Sequence, residues 1–388
     1  MANPKVVVVG GGALGLATAV HLTRKGVTDV TVLEADHVAS GSSGLSVGII
    51  ETQYMDRLDI ALRVHAMGFF NELERDHGLD IVRNGYLRLV HDEDSLMAAE
   101  QSVATQHELG VADAAVIDRD EVQRLVPDMR CDDLLGGLWG PSDGFIDGHL
   151  YANMLAEIAM DAGARVAVRQ RVSAIEPNGA GYTVRTEAGD ELAADYVVNA
   201  AGAWGDRIAE MAGLEMPLVA QRHQAAMVKA EGIDYTVPSV MDYIPNSGQI
   251  GVYFRHERPG QLIAGLHSED ITGGVVDPDN YARSADPEFI ELLAEKLAER
   301  LPSFAEKAGL GNGWAGLYPV SPDGKPQLGP NPDAERFITV GGAGGSGIQL
   351  SPALGEIAAE WIVDGEPSAV EGVEVLLPGR ESLVGAHG

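Results

Sequence analysis

The stretch "VVVVGGGALGLATAVHL", residues 6–22, restricts the fold more than any other part of the 388-residue chain. Its four consecutive valines read as a buried strand, and Ala13, Leu16, Ala17 and Val20 recur at helical spacing directly after it. Between the two, Gly10, Gly12 and Gly15 fit G-x-G-x-x-G. Gly10 permits the tight turn, Gly12 lets backbone N–H groups approach a pyrophosphate, and Gly15 lets the helix pack on the strand. The helix amino terminus adds roughly half a positive charge toward such an anion. Val30 to Glu34 gives a second strand and the crossover ends at Gly26, so a parallel βαβ unit is expected. Glu34 stands 24 positions after Gly10, where a carboxylate accepts hydrogen bonds from adenosine ribose hydroxyls and repels a 2′-phosphate. NADP is disfavoured; NAD and FAD remain open.

The rest of the chain reads as mixed structure. Ile60, Val64, Met67 and Leu73 mark a helix, "GYLRLV" alternates like a strand, and "HLYANMLAEIAMDAGARVAV" reads as helix, turn and strand. Arg165 to Asn199 reads as a meander of short strands with turns at "PNGAG" and "EAGDE". Between Leu218 and Leu266, "RHQAAMVKA", "QIGVYFRHE" and "GQLIAGLH" predict antiparallel strands, followed by a helix over Pro287 to Arg300. No repeat, low-complexity tract or linker interrupts this, so interleaved lobes are expected rather than domains in series.

Charge narrows the partners. The sum is 27 basic minus 58 acidic residues, a net −31, and the basic set is 6 Lys and 21 Arg. Phosphates of nucleic acid would be repelled. The acids are scattered rather than gathered into a tail, and an acidic surface with few lysines fits a high-salt cytoplasm, where salt screens self-repulsion. One cysteine, Cys131, excludes an internal disulfide framework and fits a reducing compartment. Val6 to Val9 is too short for a signal sequence's apolar region, and no run reaches membrane-spanning length, so a cytoplasmic location is expected.

A second glycine cluster closes the pattern. In "FITVGGAGGSGIQLSPALGEIAAEWI", Gly341, Gly342, Gly344, Gly345 and Gly347 stand between a strand-like and a helix-like run. Fixing so many glycines costs backbone entropy, which suggests a sharp bend or a large flat neighbour. The earlier small-residue loop "ASGSSGLSVGII" suits an extended cofactor, and "DYVVNAAGAWGDRIAEMAG" leads a strand into Gly202 and a helix. Taken in order with "GFIDGHLYANMLAEIAMDAGARV" and "WAGLYPVSPDGKPQLGP", these segments resemble the FAD-dependent amino-acid and amine oxidoreductases, the family of D-amino-acid oxidase, glycine oxidase, sarcosine oxidase and dimethylglycine dehydrogenase.

That resemblance covers almost the whole chain. It implies an α/β (α+β) fold: a Rossmann-like FAD-binding lobe (residues 1–85, 145–215 and 310–388) interleaved with a mainly antiparallel substrate lobe (86–144 and 216–309). It implies FAD held by Gly10, Gly12, Ala13, Leu14, Gly15, Glu34 and Ala35. Further contacts are implied from Ser42, Ser43, Ser46, Val172, Ala200, Ala201, Gly202 and Trp204. The terminal loop, Gly342, Gly344, Gly345, Ser346, Gly347, Ile348 and Gln349, would lie beside the isoalloxazine ring. A helix beginning near Pro352 would aim its amino end at that ring. Some relatives attach the flavin covalently, but the corresponding places here are Leu45 and Gly316 or Leu317, so non-covalent FAD is expected.

The implied reaction is oxidation of the C–N bond of an amino acid or of a secondary or tertiary amine, with oxygen or an electron-transfer acceptor as oxidant and a homo- or hetero-oligomer as a working form that the resemblance allows. Glu51, Tyr54, His223, Arg255, Tyr318 and Gln349 are the catalytic candidates. In sarcosine-oxidising members the substrate carboxylate is gripped by an arginine and a lysine; here those positions are Glu51 and Gln349. Either another cation re-anchors the carboxylate, Arg255 first and Arg222 second, or Glu51 receives a positive group of the substrate. A third reading pairs Glu51 with an arginine such as Arg57. Oxidation of a 2-hydroxy acid would need a base such as His223 or His256, and a flavin-binding subunit without turnover is the rival from another class. "GPSDG" matches G-x-S-x-G around Ser142, but no helix follows the serine, so it reads as a turn. The histidines lack metal-ligand spacing.

Overall fold

Valine alternation in the first strand explains the layering. In the computed structural model, which describes residues 3–230, 232–244, 247–268, 274–302 and 308–383, Lys5–Val9 lies inside a six-stranded sheet. Its order is Gln327–Asn331, Ala334–Gly341, Tyr196–Asn199, Lys5–Val9, Asp29–Leu33 and Arg165–Ala167. All neighbours are parallel except the first pair. Val6 and Val8 face a helical layer, whereas Val7 and Val9 face a small antiparallel sheet of Val172–Asn178, Gly181–Thr186 and Glu191–Ala194. Burial on both faces is what a continuous apolar run requires.

The helical layer holds Ala13–Arg24, Gly148–Asp161 and Gly347–Val363. Gly355 sits so close to the first helix that an added Cβ would stand 2.7 Å from the Ala17 carbonyl carbon. The last helix starts at Gly347, five residues before the expected Pro352. Proline inside a helix orphans the carbonyl four residues back. Here Ser351 Oγ donates to that carbonyl, Ile348 O, at 2.8 Å, and the helix continues through the proline.

The second body is an eight-stranded sheet, ordered Ala308–Val320, Val219–Ala230, Gln261–His267, Gly251–Arg258, Ser239–Asp242, Tyr86–Val90, Gly136–Gly140 and Ala115–Asp118. Only the Ser239–Asp242 and Tyr86–Val90 pair is parallel. One face, with Leu87, Val240, Phe254 and Leu262, packs on the helix Pro287–Arg300 through Phe289, Leu293 and Leu297. The opposite face looks toward the six-stranded body.

Two sequence assignments need correction. Arg165–Ala167 and Tyr196–Asn199 are parallel strands of the large sheet, not parts of the meander they flank. Short strands buried between others carry no alternation to reveal their partner. Ala308–Val320, placed from residue 310 in the FAD lobe, instead pairs along Val219–Ala230 at the edge of the eight-stranded sheet. Ser142 lies in an exposed turn and donates to Asp113, with no helix starting behind it.

Candidate active site

The first glycine turn is fixed by backbone contacts. Gly10 has φ +116°, and a Cβ there would lie 2.4 Å from Ala200 O; one on Gly15 would lie 2.1 Å from Gly10 O. No side chain larger than hydrogen fits either place. Gly12 is the N-cap of the first helix without any side-chain cap of its own, and Ser43 Oγ accepts from Ala13 N at 3.0 Å. Glu34 is buried at the end of the second strand: Oε2 accepts from Gly11 N at 2.8 Å, and Oε1 from Asp36 N at 2.8 Å and Ser40 Oγ at 3.1 Å. Oε1 is thereby saturated, whereas Oε2 keeps acceptor capacity for a ligand hydroxyl.

These residues open onto a cavity of about 910 Å³. Gly10, Gly12, Ala13, Leu14, Glu34 and Ala35 line one end. Ser42, Ser43, Ser46 and Leu45 follow, then Val172, Ala200, Ala201, Gly202 and Trp204. Gly344, Gly345, Ser346, Gly347, Ile348 and Gln349 line its continuation. Gly15 does not line it, because its role is packing. Gly342 also falls outside: with φ +67°, its added Cβ would meet Ser321 Oγ at 2.2 Å. Gly345 is likewise set by protein, since a Cβ would strike the Tyr318 ring at 2.5 Å. Gly347 differs. Nothing lies within 4 Å of its Cβ position, it lines the cavity, and it begins a 17-residue helix whose N-cap, Ser346, offers no side-chain bond. An uncapped helix terminus facing a void attracts electron-rich groups.

The far end is walled by Glu51, Tyr54, His223, Tyr318 and Gln349, joined by Tyr86, Met241 and Tyr253 from the eight-stranded sheet. His223 stacks on Tyr318, with ring centroids 3.8 Å apart. Burial lowers the imidazole's pKa to about 4, so it is neutral at pH 7. Burial pushes the Tyr318 phenol up to about 12 and raises Tyr86 and Tyr253 as well. Gln349 Oε1 accepts from Glu51 N at 3.3 Å, which turns the amide Nε2 the other way.

Glu51 is 3% exposed. Its partner is Arg63, not Arg57, which pairs with Glu108. Arg63 lies 3.3 Å over the Tyr54 ring, bonds Asp59 through Nη1, and donates from Nη2 to Ser346 Oγ at 3.0 Å. Sequence reading missed Arg63. The available signal was a charged residue one turn after Ile60, on the apolar stripe of the helix Arg57–His77. Missed too was the buried set Thr52, Gln53, Gln106 and Asp143, in which Gln53 Nε2 donates to Asp143 Oδ2 at 2.8 Å.

Both proposed replacement cations are outside the cavity. Arg255 donates to Val47 O at 2.6 Å, His256 O at 2.7 Å and Glu257 at 2.6 Å, and stacks on Phe145. Arg222 is held by Asp286 and the carbonyls of Ala282 and Ser284. Each clamps loops to the sheet, and strand alternation alone could not reveal that. His256 does not line the cavity either, and Cys131 is buried in the core behind the eight-stranded sheet.

The family model described as FAD dependent oxidoreductase matches residues 5–361. Human mitochondrial sarcosine dehydrogenase is 29% identical over 374 residues, 93% of this chain and 40% of that protein. The chain therefore spans about two-fifths of that relative's length. Sarcosine oxidase subunit beta of Rhizobium meliloti is 27% identical over 93% of this chain and 85% of its own. Among solved structures, L-proline dehydrogenase from P. horikoshii superposes with a TM-score of 0.86 at 25% identity, covering 97% of both chains. Among the described residues no helix is long and apolar enough to cross a membrane.

Proposed function

Because the chain belongs to the FAD dependent oxidoreductase family, we propose that it oxidises the C–N bond of an amine or amino acid to an imine, which water then hydrolyses. The observation that carries this reading is one continuous cavity. It joins the G-x-G-x-x-G turn and Glu34 to a tyrosine-walled end past Gly347. The glycine positions fit FAD: Gly10 and Gly15 bring backbone to the dinucleotide end, and Gly347 leaves room for a flat ring beside a helix terminus. FAD bound there supplies the two-electron acceptor.

The chain's own task is to place the substrate carbon and favour its neutral amine, since a protonated nitrogen cannot push electrons into a developing imine. Each pKa unit of that bias is worth about 1.4 kcal/mol. Tyr54, Tyr318 and Tyr253 supply apolar walls tipped with hydroxyls, and His223 adds an imidazole whose burial disfavours the protonated form. The place of that imidazole in the cavity, stacked on Tyr318, supports a second reading, oxidation of a 2-hydroxy acid, in which it would take the hydroxyl proton. The eight-stranded sheet serves as substrate lobe. Leu45, Gly316 and Leu317 line the cavity and offer no nucleophile, which supports non-covalent FAD, to be checked by acid precipitation with yellow supernatant.

Oxygen or an electron carrier takes the electrons in turn. The relative that is a sarcosine oxidase subunit supports work within an assembly, and the net charge of −31 supports a high-salt cytoplasm. Anaerobic mixing of the holoenzyme with secondary amines, amino acids and 2-hydroxy acids tests the reading: amines should bleach the flavin band. Bleaching by hydroxy acids alone selects the second reading, and bleaching by none sinks both.

A further inference from the structure

Glu51 Oε2 is fully buried and has no hydrogen-bond partner, yet Glu51 lines the cavity. A buried carboxylate oxygen left without a donor is costly, so a site that keeps one has a donor to receive. The donors nearest to the carboxylate are the Gln53 backbone N–H and Arg63, and Oε2 is bonded by neither. Arg63 Nε forms an ion pair with Oε1 at 3.7 Å but makes no hydrogen bond, its other nitrogens being bound to Asp59 and Ser346. Arg88 donates to Gln53 O, and its guanidinium lies 5.4 Å from the Tyr54 ring centre and 5.9 Å from that of Tyr86, with no ion pair to Glu51 among the described residues.

The groups that act on Glu51 are Arg63, Arg88 and the Gln53 backbone N–H on the positive side and Asp59 and Asp143 on the acidic side, with the Tyr86 phenol nearby. Burial raises the Glu51 pKa, and the raised value falls again when a cation arrives. Across from it, Gln349 can present only an amide N–H, a neutral donor, because its carbonyl is engaged by Glu51's own backbone. A substrate carboxylate placed here would meet one neutral donor beside a carboxylate.

We infer that Glu51 is a specificity-determining residue that accepts a hydrogen bond from an ammonium group of the substrate, so that the preferred substrate is a diamine-like amine carrying a second, protonated nitrogen rather than a carboxylate. The inference rests on the amine-oxidation reading above and adds the substrate class. The nitrogen held by Glu51 stays protonated, while the other nitrogen is the neutral one whose neighbouring carbon is oxidised.

Three probes that share an N-methyl amine test it with the holoenzyme: N-methyl-1,3-diaminopropane, the near-isosteric N-methylbutylamine, and N-methylglycine. Kd is read from the perturbation of the flavin visible spectrum on anaerobic mixing and from the concentration dependence of bleaching. Wild-type protein should bind the diamine about tenfold or more tighter than N-methylbutylamine, and N-methylglycine weakest of the three. In Glu51→Gln the diamine preference should shrink to within about threefold. The wild-type comparison stands even where that variant fails to load FAD. Equal affinity for diamine and monoamine, or tighter binding of N-methylglycine, overturns the inference while leaving amine oxidation in place. A diamine preference that survives Glu51→Gln also overturns it. Bleaching by no amine overturns both readings.

Discussion

The two ends of the cavity are built from different materials. At the dinucleotide end, backbone does the shaping: Gly10 against Ala200, Gly15 against Gly10, and loop N–H groups on Glu34. At the other end side chains do it. Glu51, Arg63, His223, Tyr318 and Gln349 come from distant segments and meet only in the folded state. Backbone geometry tolerates one residue type per position, whereas a side-chain wall can be rebuilt without disturbing the fold. The first end therefore suits a constant cofactor, and the second a substrate that changes among relatives.

The sharpest way to break this contrast is Gly15→Ala. Its Cβ would overlap Gly10 O, forcing helix and strand apart, so FAD occupancy should fall below about one tenth of wild type or the chain should not fold. Visible against ultraviolet absorbance of purified protein measures it. Full occupancy would show that backbone contact does not limit the dinucleotide end.

At the other end, Arg63→Met leaves Glu51 and Asp59 without their cation. Removing one partner of a buried pair typically costs about 3–5 kcal/mol, read from the urea midpoint of the holoprotein. A loss under about 1 kcal/mol would mean that Glu51 simply takes up a proton, and the side-chain wall would be looser than described.

A third test uses acid. His223 titrates at about 4 in the folded chain against 6.5 when unfolded, so between those values the unfolded chain binds the proton first. Stability is lost as pH falls through that window, by up to about 1.4 kcal/mol per pH unit from this group. His21, lowered to about 4 by burial outside the cavity, acts in the same direction. His223→Gln should flatten the pH 5–6.5 slope by close to one proton and leave the His21 share. An unchanged slope would remove His223 from the buried wall.

The smallest effect concerns what both ends share. With a net charge of −31, thermal midpoints should climb by several degrees from about 0.1 M KCl to molar KCl, where the Debye length shortens from roughly 10 Å to 3 Å. Flavin release and far-ultraviolet ellipticity should move together. If only flavin release responded, the screening would belong to the cavity and not to the surface.

Legibility in the sequence follows the same division. Gly10, Gly12, Gly15 and Glu34 could be read because a backbone requirement fixes residue types at short spacing, and Glu51 and Gln349 because they break a familiar pattern. Tyr54, His223 and Tyr318, read as catalytic candidates, line the cavity. Arg255 and Arg222 do not, since an arginine's partners, here Val47, Glu257 and Asp286, lie far off in sequence or on a neighbouring loop. Arg63 hid in a helix whose apolar stripe drew attention elsewhere. Pro352 misled about the last helix because Ser351 relieves the carbonyl that proline deprives.

Gly355 resting on Ala17 also governs how the chain is made. The first strand completes its pairing only with Tyr196–Asn199, and its helix is covered only when Gly347–Val363 arrives. A ribosome adding 5–20 residues per second needs on the order of tens of seconds to travel from one glycine motif to the other. Throughout that interval the small-residue face of the first helix around Ala17 lacks the helix that covers it. The lobe read most easily from the start of the sequence is thus completed late in synthesis.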